Sequence, residues 1–520
     1  MLVSRPSLYL LAASLGLATA QQSSSTNLTA LYGSGLSPGA EIFYPSDPDY
    51  SEQVTQRWNL YDAPTYFGAI KPATEADVQH IVNVSAQNNI SFLGTGRGHG
   101  STSTLEAVNG IEIDLSNFRT VDLDAENSKI TVGGSVNFSQ LFDPLYDAGK
   151  MLPFGNSRCV GVLGASLGGT VGNLQGILGL GVDYLNSVRM VTANGELVEA
   201  SNTQNADLFW GMRGAGANFG IVTSATFNLH DNVNGGNLTS IDLLYPGSAN
   251  TTIYEALKTY DDDIPNELTL NVFSLYNQTS RQVRAPRFAQ RKRIKISVAN
   301  ISFNKQSSVV VNVVWFGPEE EVMQHIQPFI AAGPTTNNTK TARWTDWWTV
   351  ADFGAYVSPS ATDCVDGQYY NSYTLGIKQT DPVAMTALFN NLTEFSKANP
   401  DFTGFFGVDR YPNAVTLSVP DGDTAYPYRE IKSQVTMQSN YHPNSTLDNA
   451  ANDFFRDARA AVQATSGFDN LSVYVNFAHG DEGPAVWYTP EKLENLTRLK
   501  QTWDPMERFS FYQPVPLHYS

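Results

Sequence analysis

The sequence predicts an α+β protein with two domains, and three observations carry that reading. Short β-rich runs alternate with helix-patterned stretches along the chain. Two glycine-rich segments, residues 94–100 and 159–181, both fall in the first half. Beyond residue 236 glycine thins out, and strand-like runs (308–317, 372–377) alternate with helix candidates (381–399, 447–465) whose apolar residues recur at helical spacing. With 520 residues and 42% hydrophobic composition, the chain has enough apolar material for sizeable cores.

Each element follows from local chemistry. Arg5, the apolar run 8–18 and Ala18-Thr19-Ala20 have the pattern of a signal peptide over 1–20, cleaved before Gln21. The run is too short to span a bilayer. Residues 21–40 are rich in Ser, Gly and Thr and read as a flexible leader. The first domain, 41–235, opens with a helix capped by Thr74 with Asp77 three residues on. Val78, Ile81, Val82 and Ser85 share its inner face. A buried strand, 90–93, runs into the loop Gly94-Thr95-Gly96-Arg97-Gly98-His99-Gly100, and a second strand alternates Ile111, Ile113 and Leu115. A strand at 129–135 and a helix broken near Pro144 follow. Asn194-Gly195 marks a hairpin, 207–214 a short helix, and 219–229 a strand with Ile221, Thr223, Ala225 and Phe227 on one face. The second domain spans 236–470, and 471–520 forms a C-terminal segment. The basic stretch 281–295 reads as a solvated loop rather than a docking site for an anionic partner.

Composition excludes several functions. A net charge of −18 argues against nucleic-acid binding and against adsorption to anionic membranes. Two cysteines, Cys159 and Cys364, permit at most one internal disulfide and no zinc-finger site, and no metal is expected. Whether the two pair is left open. Sequons at Asn27, Asn83, Asn89, Asn137, Asn237, Asn250, Asn277, Asn300, Asn337, Asn391, Asn444, Asn470 and Asn495 agree with secretion and N-glycosylation.

Glycine lets main-chain N–H groups approach a ligand, and successive inward N–H groups cradle phosphate oxygens. Two such loops suit an extended diphosphate cofactor. The first is G-x-G-x-G-x-G, with a strand rather than a long helix following, so it is not a Rossmann fingerprint. No G-x-x-x-x-G-K-[ST] exists in the chain, which excludes a P-loop.

The segments "KPATEADVQHIV", "GTGRGHGST", "VGVLGASLGGTVGNLQGILGLGVDYLNSVRMVTANGELV", "DLFWGMRGAGANFGIVTSATF" and "WDPMERFSFYQPVP" resemble the vanillyl-alcohol-oxidase superfamily with its PCMH-type FAD-binding domain, in the fungal berberine-bridge-enzyme-like branch. The resemblance covers about residues 55–235 and 470–515. It implies a two-subdomain FAD-binding domain plus a substrate domain with an antiparallel sheet covered by helices. It implies that His99 is joined covalently to the C8 methyl of FAD, within the loop Gly94, Thr95, Gly96, Arg97, Gly98, Gly100 and Ser101. Diphosphate and adenine contacts are implied for Val162, Gly164, Ser166, Gly168, Gly169, Asn173, Ile221 and Val222, and a flavin contact for Asn476. Many relatives carry a second tether, a cysteine, where this chain has Ser157; Cys159 lies two residues later. One link, through His99, is therefore expected.

The implied chemistry is hydride transfer from a CH–OH or CH–NH carbon to flavin, with dioxygen as acceptor. Tyr370, Gln438 and Tyr474 are the leading candidates for catalytic residues, beside Tyr369, Tyr373 and His479. A small-molecule alcohol or amine oxidase, with a secondary metabolite among its substrates, leads. A carbohydrate oxidase with a groove lined by Trp344, Trp347 and Trp348 is the alternative, and a non-catalytic flavin-fold binding protein the second. A monomer is expected.

Overall fold

A computed structural model describes residues 26–277, 306–351 and 364–519. The signal-peptide reading at 1–20, the basic stretch 281–295 and the sequon at Asn300 lie outside them.

The first sheet contains β1 (Glu41–Phe43), β2 (Thr65–Lys71), β3 (Ser91–Thr95) and β4 (Asn109–Asp114), in the order β1-β2-β4-β3. β2, β4 and β3 are parallel. The helix Glu75–Gln87 connects β2 to β3 and buries Val78, Ile81, Val82 and Ser85. Its Thr74–Asp77 capping box forms as the spacing predicts. Burial pushes the Asp77 carboxyl up, but bonds from Ser37 and Thr74 outweigh it and hold the group below its ordinary range.

Residues 26–40 differ from a flexible leader. Asn27 caps a helix, Leu28–Tyr32, whose Leu28 and Tyr32 are fully buried against the first core. The Tyr32 hydroxyl meets Ser85 Oγ at 2.9 Å. Two apolar residues four apart outweigh the Ser/Gly-rich composition around them.

The second sheet holds β5 (Val121–Asp124), β6 (Lys129–Gly133), β8 (Leu185–Thr192), β9 (Leu197–Ser201) and β10 (Gly220–Asn228), ordered β5-β6-β10-β8-β9. A small pair, β7 (Lys150–Met151) and β11 (His230–Asp231), stands apart. The helix Ser139–Asp147 runs through Pro144 instead of breaking there. In β10 a bulge between Val222 and Ser224 shifts the alternation. Ile221 packs into the first core, whereas Val222, Ala225 and Phe227 pack into the second. The single face expected for Ile221, Thr223, Ala225 and Phe227 is therefore split.

The third sheet is antiparallel: β12 (Asn237–Pro246), β13 (Leu268–Tyr276), β14 (Ser307–Trp315), β15 (Thr336–Arg343), β16 (Tyr370–Ile377), β17 (Thr403–Arg410) and β18 (Ser433–Asn440), ordered β15-β12-β14-β13-β17-β18-β16. Helices Asn250–Lys258, Pro382–Ala398 and Ser445–Gln463 cover one face. Adjacent rungs show the two-faced design. Leu243, Val311, Val272, Val408, Val435 and Leu375 lie side by side under the helices. One residue along, Asp242, Asn312, Asn271, Asp409 and Gln434 form a polar row on the opposite face, toward the glycine loops. Period-2 alternation puts these rungs on opposite faces. Among the described residues, no helix is long and apolar enough to cross a membrane.

Candidate flavin site

The first glycine loop leaves β3 and folds against protein backbone. A Cβ at Gly96 would collide with the Gly134 carbonyl, and Gly98, at φ +68°, would meet the Gln56 carbonyl. Those two glycines are needed for packing as well as for any ligand. Residues 57 and 58 strap the loop: Arg57 Nη2 donates to the Gly100 carbonyl, and Trp58 N donates to Gly98 O at 3.1 Å. The His99 imidazole stacks on Trp58 (centroids 5.3 Å apart, 12° between planes). Burial, then the Arg97 and Arg57 charges, pull His99 down to about 4. The ring is thus neutral at physiological pH, with one nitrogen lone pair free to act as a nucleophile.

The second loop is pinned by Val160 O and Arg158 O, which accept from Phe138 N and Ser139 N, before the helix Val162–Gly168 begins. A Cβ at Gly161 would touch the Arg97 side chain, so the two loops meet here. Ile221 lies against Gly94, and the Val222 carbonyl against Gly134. Asn476 lies against Gly168; its Nδ2 donates to Ala165 O (2.8 Å) and to the Tyr474 hydroxyl (2.7 Å). Thr170 N also donates to that hydroxyl, at 2.9 Å. Ser166 is buried, its Oγ 3.3 Å from Thr170 Oγ1, and Ser101 is half-buried beyond the first loop.

The residues present fit FAD. The two loops converge, nothing beyond its own helix and chain neighbours lies within 4 Å of a Cβ built at Gly164, and Ser157 Oγ and Asn173 Nδ2 are buried without a partner among the described residues. His99, Asn476 and the loop glycines would hold the cofactor. Asn173 faces the third sheet as well: its carbonyl accepts from Thr269 Oγ1 at 3.1 Å.

Of the catalytic candidates, Gln438 lies on the loop-facing side of the third sheet, opposite Phe405 and Ser372. Tyr370 shares that face and stacks on Trp58 at 4.7 Å. Tyr474 is fully enclosed, and burial holds its phenol far above the ordinary range, so its hydroxyl, accepting from Thr170 N and Asn476 Nδ2, is a brace rather than a base. Tyr369, Tyr373 and His479 do not join them. Tyr369 donates to Asp448, and Tyr373 donates to Asn452, both on the covering helix. His479 stacks on Tyr373 at 3.9 Å, its Nδ1–H donating to Ser372 O.

Asp409 is the residue that sequence reasoning missed. It stands in the polar row, part-accessible between fully buried Val408 and Arg410. Its Oδ1 has no partner among the described residues, and burial raises the carboxyl to about 7. Phe405, Thr436 and Gln438 are also part-accessible on this face, which marks a cleft. The signal available was the alternation Phe406, Val408 against Asp409 in "GFFGVDR".

The tryptophans do not line a groove. Trp344, Trp347 and Trp348 are at most 2% exposed and belong to the second core. Trp344 stacks on Phe154 and Trp348 on Phe142. Cys159 and Cys364 form a disulfide, with Cα atoms 5.5 Å apart. It joins the second loop to the segment leading into β16. Among the described residues, no group of three or more His, Cys, Asp or Glu is arranged to hold a metal ion.

Comparison with known proteins agrees with this geometry. The FAD binding domain family matches residues 68–201, and the berberine and berberine like family matches residues 473–516. The chain is 44% identical over 495 residues to the FAD-linked oxidoreductase azaL of Aspergillus niger, covering 94% of this chain and 99% of the relative. It is 40% identical over 498 residues to the FAD-linked oxidoreductase tazG of Aspergillus terreus, covering 96% of each. The fold is shared with BBE-like 1 of Physcomitrella patens (TM-score 0.78, 21% identity, 95% of this chain and 100% of that one). It is also shared with glucooligosaccharide oxidase from Acremonium strictum (TM-score 0.77, 19% identity, 95% and 100%). The chain therefore belongs to the berberine-bridge-enzyme-like family of FAD-linked oxidoreductases.

Proposed function

We propose that the protein is a secreted oxidase of a small-molecule alcohol or amine, a secondary metabolite included, with its FAD tethered once, through His99. The observation that carries this reading is the pairing of a neutral, half-buried imidazole in the first glycine loop with a cleft whose floor carries Asp409. Bound FAD supplies the acceptor for hydride from the substrate carbon and returns the two electrons to dioxygen as hydrogen peroxide.

The chain's own residues do the rest. Asp409, with a carboxyl near neutrality, accepts the hydroxyl or amine proton as hydride leaves. Gln438, on the same face, orients the substrate's polar group. Asn476 fixes the second loop, which would hold the cofactor. With FAD bound, the tether would replace an N–H bond of His99 and a C–H bond of the 8-methyl group with one N–C bond, dioxygen taking up the two hydrogens and two electrons as hydrogen peroxide. Ser157 offers no thiol for a second link.

Acid precipitation of the purified holoprotein tests the tether. Yellow colour stays with the pellet, and moves to the supernatant in His99→Ala. A peroxide-coupled screen of alcohols, amines and sugars tests the substrate class. Peroxide from sugars alone would overturn the alcohol-or-amine reading. The burial of Trp344, Trp347 and Trp348 removes the aromatic groove on which the carbohydrate alternative rested.

A further inference from the structure

A tethered histidine needs its ring held in one plane. Imidazoles are ordinarily oriented by a hydrogen bond at one ring nitrogen. Among the described residues, none is recorded for His99: its surroundings act on it through burial and the charges of Arg97 and Arg57. What fixes the plane is the stack of His99 on Trp58, continued by Trp58 on Tyr370 at 4.7 Å and 27°.

Trp58 is itself held from three sides. Its N–H donates to Gly98 O, one residue before His99, and its carbonyl accepts from Gln368 N at 2.9 Å. Asn59 Nδ2 donates to Tyr370 O (2.9 Å), while Tyr370 N donates to Asn59 Oδ1 (2.8 Å). The Cys159–Cys364 bond closes the far end of the same segment. The Trp58 Nε1 atom is buried without a partner among the described residues. The three-ring stack thus runs from the first loop to the edge strand of the substrate sheet.

We propose that Trp58 is the positioning residue for the tether: its indole, clamped against Tyr370, sets the plane in which His99 presents its free nitrogen. The proposal rests on the reading of His99 as the point of attachment. Trp58 touches the imidazole and Tyr370, and acts on the cofactor only through His99.

The test compares Trp58→Leu and Trp58→Phe with wild type in the full chain supplied with FAD. Each is measured for flavin in the acid pellet, total flavin per chain and the rate at which pellet-bound flavin forms. In Trp58→Leu that rate falls about tenfold or more, as expected when a reacting group loses its orientation. Total flavin stays near wild type, and Trp58→Phe, which keeps a ring in the stack, restores most of the rate. A wild-type rate in the Leu variant overturns the proposal, and so does equal loss in Leu and Phe. Should the Leu variant not accumulate, Tyr370→Leu decides by the same readout: slower tethering supports the clamp, unchanged tethering overturns it. His99→Ala separates the two readings. Pellet-bound flavin in that variant defeats the attachment at His99; its loss there, with Trp58→Leu unaffected, defeats only the role of Trp58.

Discussion

Asn271 and Asp409 stand directly opposite each other across the β13–β17 ladder, and each has an oxygen, Oδ1, that no donor among the described residues meets. Two buried acceptors side by side cost free energy unless a proton lies between or beside them. A carboxyl that keeps its proton to about pH 7 meets that need. The same carboxyl, once ionised, is a base matched to neutral solution. The polar row is therefore a place where one proton changes the chemistry of the cleft.

Asp409→Asn is expected to lower kcat/KM about 10²- to 10⁴-fold, the range for loss of a general base. In wild type, kcat/KM rises with pH and levels off above about 7, because only the ionised carboxylate accepts the proton. The Asn variant loses that limb and retains its pellet-bound flavin. Steady-state kinetics from pH 5 to 9 check both. A variant of near wild-type rate with the limb intact would remove Asp409 from the reaction.

Glu112 on β4 is wholly enclosed. Burial, then the nearby charge of Asp114, raises its carboxyl from 4.5 to about 8. The unfolded chain releases this proton near the ordinary value, whereas the folded chain holds it. Between about pH 4.5 and 8 the native state binds more protons, so stability falls as pH rises through that window. Glu112→Gln removes the effect. Relative to wild type, the variant's stability should improve steadily from pH 5 to pH 8, by a free energy of the order of a few kcal/mol at the alkaline end, read as a rising difference in Tm. Asp62, raised to about 6 by burial and by Glu106 and Asp448, is common to both proteins and cancels in the comparison. Parallel Tm curves would mean that Glu112 finds a partner that lets it ionise.

The sequence made the cofactor side legible and the substrate side largely not. Gly94–Gly100, Thr74–Asp77 and Asn194-Gly195 announce themselves because turns and caps depend on residues a few positions apart. The face on which Asp409 lies depends on which strands flank it, and that order, β13-β17-β18, is non-sequential. The tryptophans illustrate the same limit. Whether Trp344 lines a groove or fills a core is decided by Phe154, far away in sequence. The bulge at Val222–Ser224 defeats period-2 reading by one residue. The partners that take Tyr369 and Tyr373 away from the site, Asp448 and Asn452, sit on a helix 79 residues further on.

The Cys159–Cys364 bond spans 205 residues and joins the two domains beside the cofactor loops. Cross-linking removes freedom from the unfolded chain, a contribution of about 2–5 kcal/mol in folded proteins. The Cys159→Ser/Cys364→Ser double variant should unfold at lower denaturant concentration by a corresponding amount. FAD in the pellet should decline less than stability does, because Trp58 and Asn59 still strap the segment. Paired denaturation curves with and without the bond measure the first effect. An unchanged midpoint would show that the unfolded chain gains nothing from its release.

The sequons divide by structure into acceptors and non-acceptors. Asn137 is 8% exposed, and its Oδ1 accepts from Ser139 Oγ (2.8 Å) and Gln140 N (3.3 Å). Asn250 is 7% exposed at the start of its helix, bonded to Thr251 N. Asn89, Asn337, Asn391, Asn444 and Asn470 are exposed. Glycans are bulky and need surface. Asn337 lies on β15, one of the two edge strands of the third sheet, where a glycan would also block pairing with another chain. Expressed through a eukaryotic secretory route, the protein should carry sugar at several exposed sites and none at Asn137 or Asn250. Glycopeptide mass spectrometry reads each site separately. Occupancy at Asn137 would require that its loop open before folding completes, and a bare chain would remove the support that the sequons lend to secretion.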